Sequence, residues 1–193
     1  PYTNRRGDSW GGSLEGRLRL HREVYGEIRR NVGDDYPVLI KLGVEDGFPG
    51  GLALTEGIQA ARMLADSGFD CLEISSGVRG EIYEGTEYKT KINKTAREGY
   101  FRDWAGRVKE YVNKAVISVG GYRSLEMMED VLQKNEADFI ALCRPLISEP
   151  ALIRAWEEKP QKRPRCVSCN KCLEELYKGV PLHCAVFLRN KLK

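Results

Sequence analysis

Four strand–helix units follow one another along this chain without interruption, and that alternation limits its fold more than any other feature. An opening helix precedes them. Ser13 is a good N-cap, Leu14, Leu18, His21, Tyr25, Ile28 and Val32 recur at spacings of three and four, and Gly33 ends the run. The first strand is Val38–Leu42, followed after a glycine-rich loop by a helix starting at Thr55, with Ile58, Ala61, Leu64 and Ala65 inward and Gly68 closing it. Cys71–Ser75 is the second strand. A long polar loop, Val78 to Arg97, leads to a helix from about Glu98 to Asn113. Val116–Val119 precedes a helix opening at Ser124, and Phe139–Leu142 precedes one from Glu149 to about Glu158. Such alternation predicts parallel strands, and right-handed crossovers place every helix on the same side of the sheet.

A complete (β/α)₈ TIM barrel needs about 250 residues and eight repeats, whereas this chain has 193 residues and four repeats. The predicted fold class is therefore α/β: the C-terminal half of a (β/α)₈ TIM barrel, about four parallel strands with helices, plus a cysteine-rich C-terminal tail. The predicted division is 1–160 for the half-barrel and 161–193 for the tail. A doubly wound sheet is the competing architecture. Against it, no G-x-G-x-x-G follows the first strand, and the anion-type turns sit on the last two strands. Pro1 to Gly12 reads as a loop belonging to a preceding strand, so the reading expects further chain upstream and a complementary N-terminal half of the barrel.

The last two strands end in residues suited to holding phosphate. Gly120-Gly121 lets a ligand approach the backbone closely, and the amides at the start of the next helix favour an anion. Cys143-Arg144-Pro145 ends the other strand, where Arg144 adds a charged planar fork of donors. This matches the phosphate site formed after the last two strands of a barrel. The same residues also read as an ordinary tight turn and a solvated surface cation.

With 41% hydrophobic and 31% charged residues and a net charge of +3, the composition is that of a soluble protein and argues against a nucleic-acid partner. No apolar run reaches the roughly 20 residues of a membrane helix, and no signal peptide opens the chain, so a cytoplasmic location is expected. Of the six cysteines, Cys166, Cys169, Cys172 and Cys184 crowd together at the end. In a cytosolic chain such spacing suggests a metal before disulfides; a tail of reduced thiols is the alternative. Cys71, on a buried strand, reads as packing.

Asp8-Ser-Trp-Gly-Gly-Ser-Leu-Glu-Gly-Arg17 resembles the D-x-Y-G-G-S-x-E-N-R signature of the NADH:flavin oxidoreductase (Old Yellow Enzyme) family, with Val119-Gly-Gly121 and Leu142-Cys-Arg144 following in the expected order. The resemblance implies a barrel binding flavin mononucleotide (FMN), with NAD(P)H as co-substrate and a small-molecule acceptor such as an activated alkene. Carried over by position, Arg17 would meet the polar edge of the flavin ring, and Gly120, Gly121, Cys143 and Arg144 would hold its phosphate. Gly16 stands where the family usually has asparagine.

The tail resembles the iron–sulfur segment of the dienoyl-CoA reductase and trimethylamine dehydrogenase branch, which implies Cys166, Cys169, Cys172 and Cys184 as ligands of a [4Fe-4S] cluster or, alternatively, zinc. One residue fewer separates Cys169 from Cys172 than is usual in that branch. The catalytic histidine that the branch carries after the second strand is absent from Val78–Tyr83, although Arg79, Glu81 and Tyr83 there could meet substrate. His21 and His183 stand on a helix face and between tail cysteines, which suits neither to acid–base work.

Three functions remain open from the residues and the resemblance together. The first is a fragment of an FMN oxidoreductase, a poor catalyst alone because much of the ring site lies in the other half. The second is a metal or iron–sulfur electron-transfer module. The third is a half-barrel that self-associates through uncovered sheet edges.

Overall fold

Val38 and Asp70 show how the sheet is started. The Asp70 carboxylate accepts the Val38 amide at 2.8 Å and its own amide donates to the Val38 carbonyl at 2.9 Å. Asp138 repeats the arrangement on Val116, with both bonds at 2.8 Å. Each aspartate is held from the other side by a cation, Arg29 at 2.9 Å and Lys109 at 2.5 Å. An aspartate immediately before one strand thus aligns the start of its neighbour, twice along the chain.

The structure, a computed structural model, describes residues 1–78 and 89–187. The four strands β1 (Leu39–Gly43), β2 (Cys71–Ser75), β3 (Ala115–Val119) and β4 (Phe139–Ala141) pair in parallel in the order β1-β2-β3-β4. That order never reverses, which is the barrel pattern and excludes the doubly wound alternative. The half-barrel fold predicted from the repeats is what the chain adopts.

Helices α1 (Leu14–Val32), α2 (Leu54–Asp66), α3 (Arg102–Lys109) and α4 (Leu125–Gln133) alternate with the strands. Ser13 caps α1 by accepting the Gly16 amide at 3.2 Å, and Gly33, at φ 77°, ends it, its amide donating to the Arg29 carbonyl at 3.0 Å. α2 lies so close to the sheet that a side chain on Gly57 would collide with the Val44 carbonyl. Leu42, Leu72, Ile74 and Val116 pack with Ile58, Ala61, Leu64, Ala105 and Val108 into the main core; Tyr122, Met128, Val131, Leu152 and Trp156 form a second cluster.

Three expectations change on packing. α1 buries only its first part, since Ile28 and Val32 are exposed, as are Leu20 and Val24. The helix predicted from Glu98 starts instead at Arg102, because Gly99 takes φ 63° and Glu98 is extended. The helix predicted from Glu149 starts instead at Leu152 (α6, Leu152–Glu158) and is preceded by an unpredicted α5 (Arg144–Ser148), because Pro150 forces Glu149 out of the helical region between them. The tail carries α7 (Lys171–Tyr177).

On the face away from the main core, Lys41, Glu73, Ile117 and Phe139 stand side by side in register. Lys41 and Glu73 are ion-paired there, whereas Leu39 and Phe139, on the two edge strands, are more than half exposed. No helix among the described residues is long and apolar enough to cross a membrane.

Candidate flavin-phosphate site

The carboxyl ends of β2, β3 and β4 open onto a cavity of about 590 Å³, whose walls include Ser75, Gly77, Gly121, Cys143 and Arg144. This is the end of a parallel sheet at which ligands bind. Arg144 is fixed there at the start of α5. One guanidinium nitrogen donates to the Lys89 carbonyl and to Asn170 Oδ1, both at 2.7 Å, and another reaches the Tyr100 hydroxyl at 3.4 Å. All three acceptors are neutral. No carboxylate among the described residues pairs with Arg144, so its charge stays available to an anion.

Tyr100 forms the floor between the two phosphate-type turns. Its amide donates to the Gly120 carbonyl at 3.1 Å, and a Cβ on Gly121 would come within 2.7 Å of its ring. Gly120 at φ 142° and Gly121 at φ 75° therefore satisfy both a backbone shape and a close contact. Burial pushes the Tyr100 hydroxyl above its ordinary value, only partly opposed by Arg144, so the phenol keeps its proton and can donate it to a bound oxygen. Lys89 lies over the ring at 5.4 Å. Donor chemistry and the side-chain-free turn together fit a phosphate group.

The start of α4 does not take part as expected. The Glu98 carboxylate accepts the amides of Arg123 at 2.8 Å and Ser124 at 2.9 Å, and the Ser124 hydroxyl at 2.9 Å. These are the groups a phosphate at that helix start would have used. Arg123 itself is buried, donating to the Ile92 and Pro164 carbonyls.

Arg17 lies apart from Arg144, in an adjoining cavity of about 720 Å³ that shares Lys41 and Gly77 with the first. Its guanidinium donates to the Gly12 carbonyl at 2.6 Å and is paired with Glu56 of α2 at 2.5 Å. Its charge is therefore already balanced, and a ring edge would meet an ion pair rather than a free cation. Asp46 shares that cavity, its buried carboxylate accepting the amides of Leu52 at 2.7 Å and Val78 at 2.8 Å. His21 lines it too, half-buried, and burial lowers its pKa and keeps it neutral. His183 is half-buried, with Nδ1 2.7 Å from the Pro181 carbonyl oxygen. Arg79, Glu81 and Tyr83 lie outside the described residues.

Cys166, Cys169, Cys172 and Cys184 line one cavity of about 230 Å³ that Arg144 also lines. Burial pushes the Cys172 thiol up, and Cys166 and Cys169 add to the shift, so these sulfurs feel one another. The sulfur chemistry suits a cluster or zinc, but the arrangement does not. Among the described residues no three His, Cys, Asp or Glu side chains converge as ligands. Cys71 is buried in β2, and its thiol is likewise pushed up by burial.

A family model for NADH:flavin oxidoreductase / NADH oxidase matches residues 1–162. The chain belongs to that family. Within it, the chain is 36% identical over 190 residues to an NADH oxidase of Thermoanaerobacter brockii, covering 96% of this chain and 28% of that protein. It is 31% identical over 201 residues to a cinnamate reductase of Clostridium sporogenes, covering 96% and 30% respectively. Among solved structures it superposes on 2-naphthoyl-CoA reductase in complex with 2-naphthoyl-CoA with a TM-score of 0.82 at 27% identity, over 95% of this chain and 27% of that one. The chain thus spans less than a third of the length of these relatives.

Tyr100, Asn170, Lys89 and Glu98 were not singled out by the sequence reading. Glu98 carries a visible signal, as an acidic residue before a glycine. The other three become neighbours of Arg144 only through the tertiary fold.

Proposed function

We propose that this chain supplies the phosphate-holding part of an FMN site in an NAD(P)H-dependent oxidoreductase acting on an activated alkene or related small acceptor. The observation that carries this reading is Arg144, anchored at the carboxyl end of β4 by neutral acceptors alone among the described residues. Arg144 and the Tyr100 hydroxyl are the donors offered to the phosphate. Gly121 and Cys143 border it, and Gly120, whose missing Cβ makes room for the Tyr100 and Phe101 amides, shapes the turn. Membership of the flavin oxidoreductase family supports the cofactor, and the similarity to an NADH oxidase and a cinnamate reductase supports the reaction class.

When bound, FMN supplies the hydride chemistry; the protein binds, orients and excludes water. In this division of labour Lys41 and Gly77 stand where the phosphate cavity meets the cavity of Arg17. Arg17, held by Glu56, serves as a fixed donor toward the ring side rather than as a free charge. The greater part of the ring site belongs to the complementary half of the barrel, so the 193-residue chain alone binds FMN weakly and turns over poorly.

Titration of FMN and riboflavin into the wild type and Arg144→Ala tests the reading. The wild type should prefer FMN, and Arg144→Ala should lose about 2 kcal/mol of FMN affinity while riboflavin is unaffected. Equal FMN affinities of the two proteins would remove Arg144 as the phosphate ligand.

A second reading has its own support, since the four tail cysteines line one cavity. In it, the tail holds an iron–sulfur cluster or zinc and the chain passes electrons without its own catalysis. Such a group would require the loop Cys166–Cys172 to draw its sulfurs together.

A further inference from the structure

The cysteine loop and the phosphate cavity meet at one side chain. Asn170, between Cys169 and Cys172, accepts the Arg144 guanidinium on Oδ1 at 2.7 Å. Arg144 lines both the phosphate cavity and the cysteine cavity, as do Asn170 and Cys172. A second fastening lies two residues earlier. The carbonyl of Ser168, itself buried, accepts the Lys91 amide at 3.3 Å, close to the Lys89 carbonyl that also receives Arg144. Ser168 and Asn170 both take positive φ, 53° and 59°, so the loop has a fixed and unusual shape that aims the Asn170 amide at the guanidinium.

We propose that Asn170 is a positioning residue that makes flavin-phosphate affinity depend on the state of the cysteine loop. The inference deepens the proposed function and rests on Arg144 being the phosphate ligand. Its physical content is a shared hydrogen bond. When the cysteines are drawn together, oxidised or alkylated, Asn170 moves with them and Arg144 loses one of its two close acceptors; when phosphate fixes Arg144, the loop is held in turn. Coupling of this kind is reciprocal. Neutrality of the amide matters as much as its geometry. An aspartate at 170 would pair with Arg144 and cancel the charge that the phosphate requires.

Two variants separate positioning from folding. Asn170→Gly removes the acceptor yet tolerates the positive φ, whereas Asn170→Asp keeps an acceptor and adds a charge. With the 193-residue chain, FMN and riboflavin affinities are measured by flavin fluorescence, and thiol accessibility by the rate of reaction with an aromatic disulfide reagent. Asn170→Gly should weaken FMN binding about tenfold and Asn170→Asp more, both leaving riboflavin unchanged. Asn170→Gly and Arg144→Ala should each accelerate thiol capture, and the double variant should be no faster than the quicker single one. Saturating FMN should slow capture in the wild type and leave it unchanged in Asn170→Gly. If Arg144→Ala abolishes the preference for FMN while Asn170→Gly leaves both FMN affinity and thiol rates at wild-type values, the coupling is wrong and the phosphate reading stands. If Arg144→Ala leaves FMN affinity unchanged, or the wild type shows no preference for FMN, the phosphate reading fails and this inference with it.

Discussion

The Glu98 carboxylate receives both the amide and the hydroxyl of Ser124 at 2.9 Å, so the first turn of α4 is capped by an anion from 26 residues earlier. The same carboxylate takes the Arg123 amide and pairs with Arg163 at 2.9 Å, and its side chain is 1% exposed. This contact leaves Arg144, Tyr100 and Gly121 among the residues lining the cavity at the carboxyl ends of β2, β3 and β4.

Removal of that cap should be costly. Glu98→Ala strands two buried amides and a hydroxyl, and about 3 kcal/mol of unfolding free energy should be lost, against about 1 kcal/mol for Glu98→Gln, which keeps an acceptor. Urea denaturation of the three proteins checks this. A loss under about 0.5 kcal/mol for Glu98→Ala would mean that the cap is not formed in solution.

Acid should loosen the strand starts. The Val38 amide, and then Arg29, hold the Asp70 carboxyl below its ordinary 3.8. Burial pushes Asp138 up, but Lys109 and the Val116 amide outweigh it, so that carboxyl too sits below 3.8. Because the folded values lie under the unfolded ones, the stabilisation is complete above about pH 4 and is lost as pH falls through the folded values. In the double variant Asp70→Asn, Asp138→Asn the melting temperature should be lower at pH 7 and should fall less steeply below pH 4. Parallel acid limbs for the two proteins would contradict the assignment.

Leu39 and Phe139, on the two sheet edges, are 52% and 57% exposed, and Leu20, Val24, Ile28 and Val32 form an uncovered stripe along α1. Self-association of the 193-residue chain is therefore expected, through the edges that a complementary half-barrel would otherwise cover. Light scattering at micromolar concentration should give more than the 21.8 kDa of one chain. A strictly monomeric mass with a cooperative melt would show that the uncovered faces are tolerated. Phe139→Lys should reduce the association.

The four tail cysteines make a separate forecast. On the second reading, anaerobic reconstitution with iron and sulfide should draw Cys166, Cys169, Cys172 and Cys184 together around a cluster and slow amide exchange after Arg165, because ordering the ligands and binding the metal are one event. Zinc uptake alone would make the tail a structural clip. Four thiols that titrate freely with no bound metal would leave the tail without a metal role.

The sequence by itself determined the repeat. Apolar runs of four or five residues, Ser13 as N-cap and Gly33 as terminator all act within a turn or two, so alternation, parallel order and half-barrel count were legible. The turns Gly120-Gly121 and Cys143-Arg144 were legible for the same reason, and three of their residues, Gly121, Cys143 and Arg144, line the same cavity. Only the tertiary structure decided which charges remain available. Arg17 and Glu56 are 39 residues apart, Glu98 and Ser124 are 26, and Arg144 meets Asn170 across 26 and Tyr100 across 44. Spacing cannot encode such encounters, because they depend on how α2 seats against α1 and how the cysteine loop folds back over β4. An arginine reads the same in a sequence whether its partner is a carboxylate or an amide; packing determines which of the two it meets, and with it whether a phosphate finds a free charge.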